Sequence, residues 1–214
     1  IQKRESLTYQ RQDFWVTTSN KQLNFVQHIV SMLKPDGSAA VVVPDNVLFE
    51  GGAGETVRKN LLMKTDLHTI LRLPTGIFYA QGVKANIIFF DNKPASKNPW
   101  TKEVWIYDLR TNQHFTLKTQ QMKFEHLEKF IKCYNPANRF KRKETDRFKK
   151  FNYKDITTRD KTNLDIFWMK DESLTDTDNL PDPDLLAIEI VENLEAGLES
   201  FKEIIDSLNN RNIN

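Results

Sequence analysis

Residues 71–90, Leu-Arg-Leu-Pro-Thr-Gly-Ile-Phe-Tyr-Ala-Gln-Gly-Val-Lys-Ala-Asn-Ile-Ile-Phe-Phe, hold the side chains of this chain best suited to chemistry. Two short apolar runs flank a loop with two glycines that carries Phe78, Tyr79, Gln81 and Lys84. Flat rings beside an amide and a cation suit stacking on a planar ligand such as a nucleobase, with the polar neighbours reading its edge. The plainer reading is that Phe78 plugs the core beneath the loop, since apolar residues mostly lie inside. Residue types alone leave both readings open.

Other chemistry is scarce. The chain has no Gly-x-Ser-x-Gly, no His-Glu-x-x-His and no Cys–His pairing that its spacing supports. Its single cysteine, Cys133, excludes an internal disulfide and a multi-cysteine metal site, and fits a reducing cytoplasm. His28, His68, His114 and His126 are scattered without ligand-like spacing, so no metal is expected. A glycine-rich stretch at residues 51–54 opens a helix, where bare amides attract anions. Its spacing is not that of a dinucleotide loop, however, so a tight turn with a helix cap is the first reading and a phosphate contact the second.

The elements that must position these residues are of α/β type. Ser19 and Gln22 have the form of a capping box, and Leu23, Val26, Val30 and Leu33 follow on one helical face up to Pro35-Asp36-Gly37. Residues 39–43 read as a buried strand, and residues 66–71 and 86–90 as further strands around the loop. Residues 104–108 read as a strand at the sheet edge. Met122, Leu127, Phe130, Ile131 and Tyr134 then line an amphipathic helix that Asn135-Pro136 stops.

Charge is segregated. The chain carries 31 Lys and Arg against 29 Asp and Glu. Residues 171–206 hold twelve of the acidic side chains and a single basic one, Lys202, so the preceding 170 residues are strongly basic. Residues 139–150 hold seven basic and two acidic side chains with Phe140 and Phe148 interleaved. Arg139, Lys141, Arg142 and Lys143 could lie along DNA phosphates, or the segment is a solvated connector. In the tail, Asp182 and Pro183 open a helix whose Ala187, Val191, Leu194, Leu198, Phe201, Ile205 and Leu208 recur at steps of four and three. Such a seam wants a partner helix, either its own domain or another subunit. No apolar run approaches the ~18 residues of a membrane span, and no signal peptide is visible. The chain starts at Ile1 in loop-like sequence and looks like a piece of a longer protein.

Residues 18–25, 41–54 and 71–90, the stretch Asn-Leu-Asp-Ile-Phe-Trp at 163–168 and the acidic tail together resemble the modification subunit of type I restriction–modification systems, which are N6-adenine DNA methyltransferases. The resemblance implies the C-terminal half of a Rossmann-like sheet that uses S-adenosylmethionine and takes a flipped adenine at its strand ends, followed by a helical C-terminal tail. It implies residues 1–110 as the later strands and helices of the methyltransferase domain, 111–181 as a helical and basic connecting region, and 182–210 as an assembly helix. The family's Phe-x-Gly-x-Gly cofactor loop and Asn-Pro-Pro-aromatic catalytic motif are absent from these residues. Asn98-Pro99-Trp100 and Asn135-Pro136-Ala137 only imitate the second. S-adenosylmethionine would then be bound mainly by a preceding half, and this part would be inactive alone.

By the same resemblance Phe78, with Tyr79 in reserve, stacks on the flipped base, while Gln81 and Lys84 contact the base edge or a phosphate. Val191, Leu194, Leu198, Phe201 and Ile205 dock on the DNA-specificity subunit. Double-stranded DNA, a second modification subunit and a restriction subunit complete the expected partners of a cytoplasmic complex. The alternative is a noncatalytic assembly or DNA-binding module built on the basic segment and the heptad helix.

Overall fold

The computed structural model describes residues 10–80 and 82–170 and, in the tail, residues 183, 184, 187, 188, 190–192, 194, 195 and 198. Five strands form one mixed sheet in the order β1-β3-β2-β4-β5. They are β1 (Ser38–Pro44), β2 (Thr65–Arg72), β3 (Ala85–Asn92), β4 (Glu103–Asp108) and β5 (Phe148–Asn152). β3 runs antiparallel to both β1 and β2, whereas β2 and β4 are parallel. β1, β2 and β4 therefore end at one edge of the sheet, and β3 begins there.

The alternation of side chains along each strand separates two apolar layers. Ile88 and Phe90 of β3 and Val104 and Ile106 of β4 face α1 (Lys21–Met32), α2 (Asn46–Phe49) and α3 (Ala53–Lys64). Trp105 and Tyr107 of β4 and Phe148 of β5 face the other way, onto Phe130 of α4 (Glu128–Tyr134). Phe148 is fully buried and stacks on Trp105 at 4.8 Å between centroids. Burying a side chain of this size stabilises the fold by about 1.5–3 kcal/mol.

The sequence reading needs four corrections. α1 is capped by Asn20, whose side chain accepts from the Leu23 N–H, and not by Ser19. β1 is not a buried strand: among the described residues it pairs with β3 alone, and Val42 is 55% exposed. β4 is not at the edge, because residues 148–152 form β5 beyond it. The basic segment is thus no solvated connector throughout. Its Lys149 and Lys150 sit in a strand between Phe148 and Phe151, which join the two opposite apolar layers, so the region after residue 110 contributes to the same sheet. A short helix, α5 (Tyr153–Thr157), follows β5.

In the tail the described residues are helical, and Val191, Leu194 and Leu198 of the seam are exposed, Leu194 by 68%. Glu192 pairs with Lys118 at 3.7 Å. Asp182, Phe201, Ile205 and Leu208 lie outside the described residues. Among the described residues no helix is long and apolar enough to cross a membrane.

His68 on β2 makes the fold acid-sensitive. Its buried ring lies between Phe89 and Tyr134. Burial and the charges of Arg139 and Arg142, opposed by Asp91, push its pKa down from 6.5 to about 3. The unfolded chain takes up a proton below pH 6.5 that the folded chain refuses, so stability is full above pH 6.5 and falls as pH drops toward 3. His68→Phe keeps the ring contacts without the titration. Urea unfolding between pH 7 and pH 4 should show a shallower loss of stability in this variant than in the unmodified protein.

Candidate functional site

The carboxyl edge of the parallel strands gathers the polar chemistry. Asp45 follows β1, Arg72 ends β2, Asp108 ends β4 with Arg110 just beyond, and Asn86 opens β3. Arg110 grips Asp45 with both terminal nitrogens, at 2.7 and 2.8 Å, and its Nε donates to the Leu73 carbonyl. Asn86 donates to the same carboxylate at 2.7 Å. Burial raises the Asp45 pKa, but Arg110 and Asn86 outweigh it and hold the group below the usual carboxylate range.

Arg72 is fully buried beside them. It donates to Asp108 Oδ2 at 3.0 Å and lies 3.4 Å from Asp165 Oδ1, a charge contact without hydrogen-bond alignment. Asp165 is pushed up by burial, with Arg72 pulling the other way. Its Oδ1 and the Arg72 Nε are both buried without a hydrogen-bond partner among the described residues. Asp45, Arg72, Arg110 and Asp165 line a cleft of about 720 Å³, together with Phe49, Lys84, His114, Phe167 and Met169. Ligands of open α/β sheets bind at this edge as a rule. A second cleft, of about 500 Å³, lies at the opposite end of β1. Its charges are satisfied internally, with Ser38 and Arg139 both on Asp91.

The loop between β2 and β3 arrives at the same edge. Phe78 is half-buried and packs with Ile77 against the α4-side layer. Tyr79 is 80% exposed. Lys84 is exposed at the cleft rim, and Gln81 lies outside the described residues. One ring of the loop is thus tucked under and one turned out. In the basic segment Arg142 is buried, donating to the Tyr134 and His68 carbonyls and to Thr69 Oγ1. Arg139 is tied to Asp91. Lys141 and Lys143 face solvent, with Phe140 97% exposed beside them.

Residues 51–54 form a tight turn. Gly52 has φ +59°, and the Lys161 side chain packs where a Cβ on Gly51 would lie. Arg58 fills the space behind the turn, donating to the carbonyls of Val47, Glu50, Lys161 and Thr162. The two Asn-Pro imitations are structural as well. Trp100 donates to the Pro94 carbonyl, and Asn135 ends α4 in the left-handed conformation. Sequence reasoning missed Asp45, Arg72, Arg110, Asp108, Asp165 and Phe167. The available signal was a charge inside or at the end of an apolar strand, as in Ile-Leu-Arg-Leu-Pro, because a buried charge requires a partner.

A family model described as N-6 DNA methylase matches residues 2–172. The chain belongs to this family. The type I restriction enzyme EcoKI methylase subunit of Escherichia coli strain K12 is 43% identical over 223 residues, covering 89% of this chain and 42% of that protein. The StySPI methylase subunit of Salmonella potsdam is 41% identical with the same coverage. The crystal structure of the EcoKI M protein superposes with a TM-score of 0.68 at 39% identity, over 92% of this chain and 46% of its own. The N-6 DNA methylase sheet described here is thus the α/β arrangement of a type I methylase subunit, and the chain spans less than half the length of these relatives.

Gly76 fixes the loop that carries Phe78 and Tyr79. It has φ +78°, and a Cβ there would lie 1.7 Å from the Phe115 carbonyl oxygen. Gly76→Ala should cost about 2 kcal/mol or more in thermal unfolding. Gly82→Ala, with open space around it, should stay within about 0.5 kcal/mol.

Proposed function

We propose that this chain is the target-adenine side of a site-specific N6-adenine DNA methyltransferase, within the modification subunit of a type I restriction–modification system. The family match over residues 2–172 carries the reading. Support comes from the loop of residues 73–84, which reaches the sheet edge where such folds take their ligands.

Phe78 stacks on the extruded adenine, and its packing against the α4-side apolar layer keeps the ring from following the base. Tyr79 is the outer ring of the same loop. Gln81 and Lys84 meet the base edge or a neighbouring phosphate, and Lys141 and Lys143 add contacts to the DNA backbone.

S-adenosylmethionine would supply the methyl group, as the family implies. The glycine turn at residues 51–54 does not fit it as a cradle, since Lys161 crowds Gly51 and Arg58 crowds Gly54. On this reading the cofactor and the adenine amine are held mainly by residues other than those of this turn. The exposed seam of Val191, Leu194 and Leu198 docks on the DNA-specificity subunit, continued by Phe201 and Ile205. A second modification subunit and a restriction subunit join that assembly.

Phe78→Ala in the complete protein tests the reading. Loss of a base stack of about 1–3 kcal/mol should lower methyl transfer roughly tenfold to a hundredfold. Assembly with the specificity subunit, followed by size-exclusion chromatography, should be unaltered. Undiminished transfer would remove Phe78 from the site.

A further inference from the structure

Phe167 projects from a segment that is otherwise anchored on both sides. Leu164 and Ile166 enter the core, and the Leu164 N–H donates to the Leu48 carbonyl at 2.9 Å. Trp168 is held by its indole N–H on the Asp146 carbonyl at 2.7 Å and by its contact with Phe151. Between these anchors Phe167 is 65% exposed. A large ring so placed contributes little to the core, and the rigid strap prevents it from folding away.

The ring is nevertheless fixed in position. The Arg72 guanidinium carbon lies 4.2 Å from its centroid, and Arg72 is itself pinned by Asp108 and Asp165. One side of Phe167 is thus backed by a cation while the rest is open to the cleft. Lys84 and His114 line the same cleft. The buried Asp165 Oδ1 and Arg72 Nε add an unused acceptor and an unused donor. A flat apolar platform, the Lys84 ammonium lining the same cleft and one acceptor suit a nucleobase with its phosphate.

We propose that Phe167 is a second stacking platform, distinct from Phe78, for a nucleobase displaced from the stack of the bound DNA, with Lys84 meeting its phosphate. The proposal rests on the DNA-methyltransferase reading and adds a residue to it. Backing by Arg72 suits the role, since a platform already held in place loses little freedom when a base lands on it.

The test uses the full chain assembled with its specificity subunit, and duplexes carrying the recognised site with single 2-aminopurine substitutions at each position. On the unmodified complex at least one position should change its emission on binding. Phe167→Ala should abolish that change at one position and weaken DNA binding about tenfold. Phe167→Trp should restore both, and Phe167→Leu, which keeps apolar bulk without a ring face, should not. Unaltered emission and affinity in Phe167→Ala overturn the proposal. So does full rescue by Phe167→Leu, which would mark a packing residue covered by another part of the assembly. An unmodified complex that binds DNA but transfers no methyl group defeats the enzymatic reading instead, and the Phe167 comparison still stands because it reads binding.

Discussion

Two guanidinium groups, the buried Arg72 and the partly buried Arg110, hold the carboxyl edge of the sheet together. A charge taken out of water is costly unless paired, and stripping one partner from such a pair costs about 3–5 kcal/mol. Each arginine meets that constraint with groups from separate elements. Arg110 joins the end of β4 to Asp45 after β1 and to the Leu73 and Ala85 carbonyls around the β2–β3 loop. Arg72 joins β2 to Asp108 of β4 and to Asp165 of the segment at 163–168. The cleft floor is therefore defined by ion pairs that reach across the sheet, and the loops above it inherit their positions from those pairs.

Arg58 does the same for the helical layer. Its four carbonyl partners come from α2, from the residue after it and from the turn at 161–162. The guanidinium loses solvation on burial, which lowers its pKa to about 10, still well above neutrality. It stays charged and keeps its donors. The segment at 163–168 is thus tethered upstream by Arg58, and its alternating side chains enter the core or face the cleft accordingly.

A stacking residue is useful only if the base and not the ring gives way, so rigidity beneath it matters more than the ring itself. The two candidate platforms obtain that rigidity differently. Phe78 leans on an apolar layer, in a loop whose course depends on Gly76 passing close beneath the Phe115 carbonyl. Phe167 leans on a pinned cation. Both stand on the side of the sheet where the parallel strands end, and the exposed Lys84 stands at the rim of the cleft there.

By itself the sequence determined the alternating elements and most of their boundaries. Apolar runs bounded by Pro and Gly, a Pro-Asp-Gly stop and a helical face of Leu23, Val26 and Val30 are local signals, and local signals survive without tertiary context. The loop at 75–84 was legible for the same reason, since rings and polar groups stood together in one stretch. Family membership was legible too, because ordered blocks carried it. Tertiary structure decided the rest. Residues 148–152 became a strand only because Phe148 could bury against Trp105 and Tyr107, which a basic composition hides. Arg142 lies inside and Lys141 outside because one finds carbonyls and the other does not. The pairing of Arg72 with Asp108 and Asp165, 36 and 93 residues away, and the backing of Phe167 by Arg72 are contacts between distant segments. Periodicity reports which face a residue takes, but a charge pair across a sheet exists only once the strands have been brought side by side.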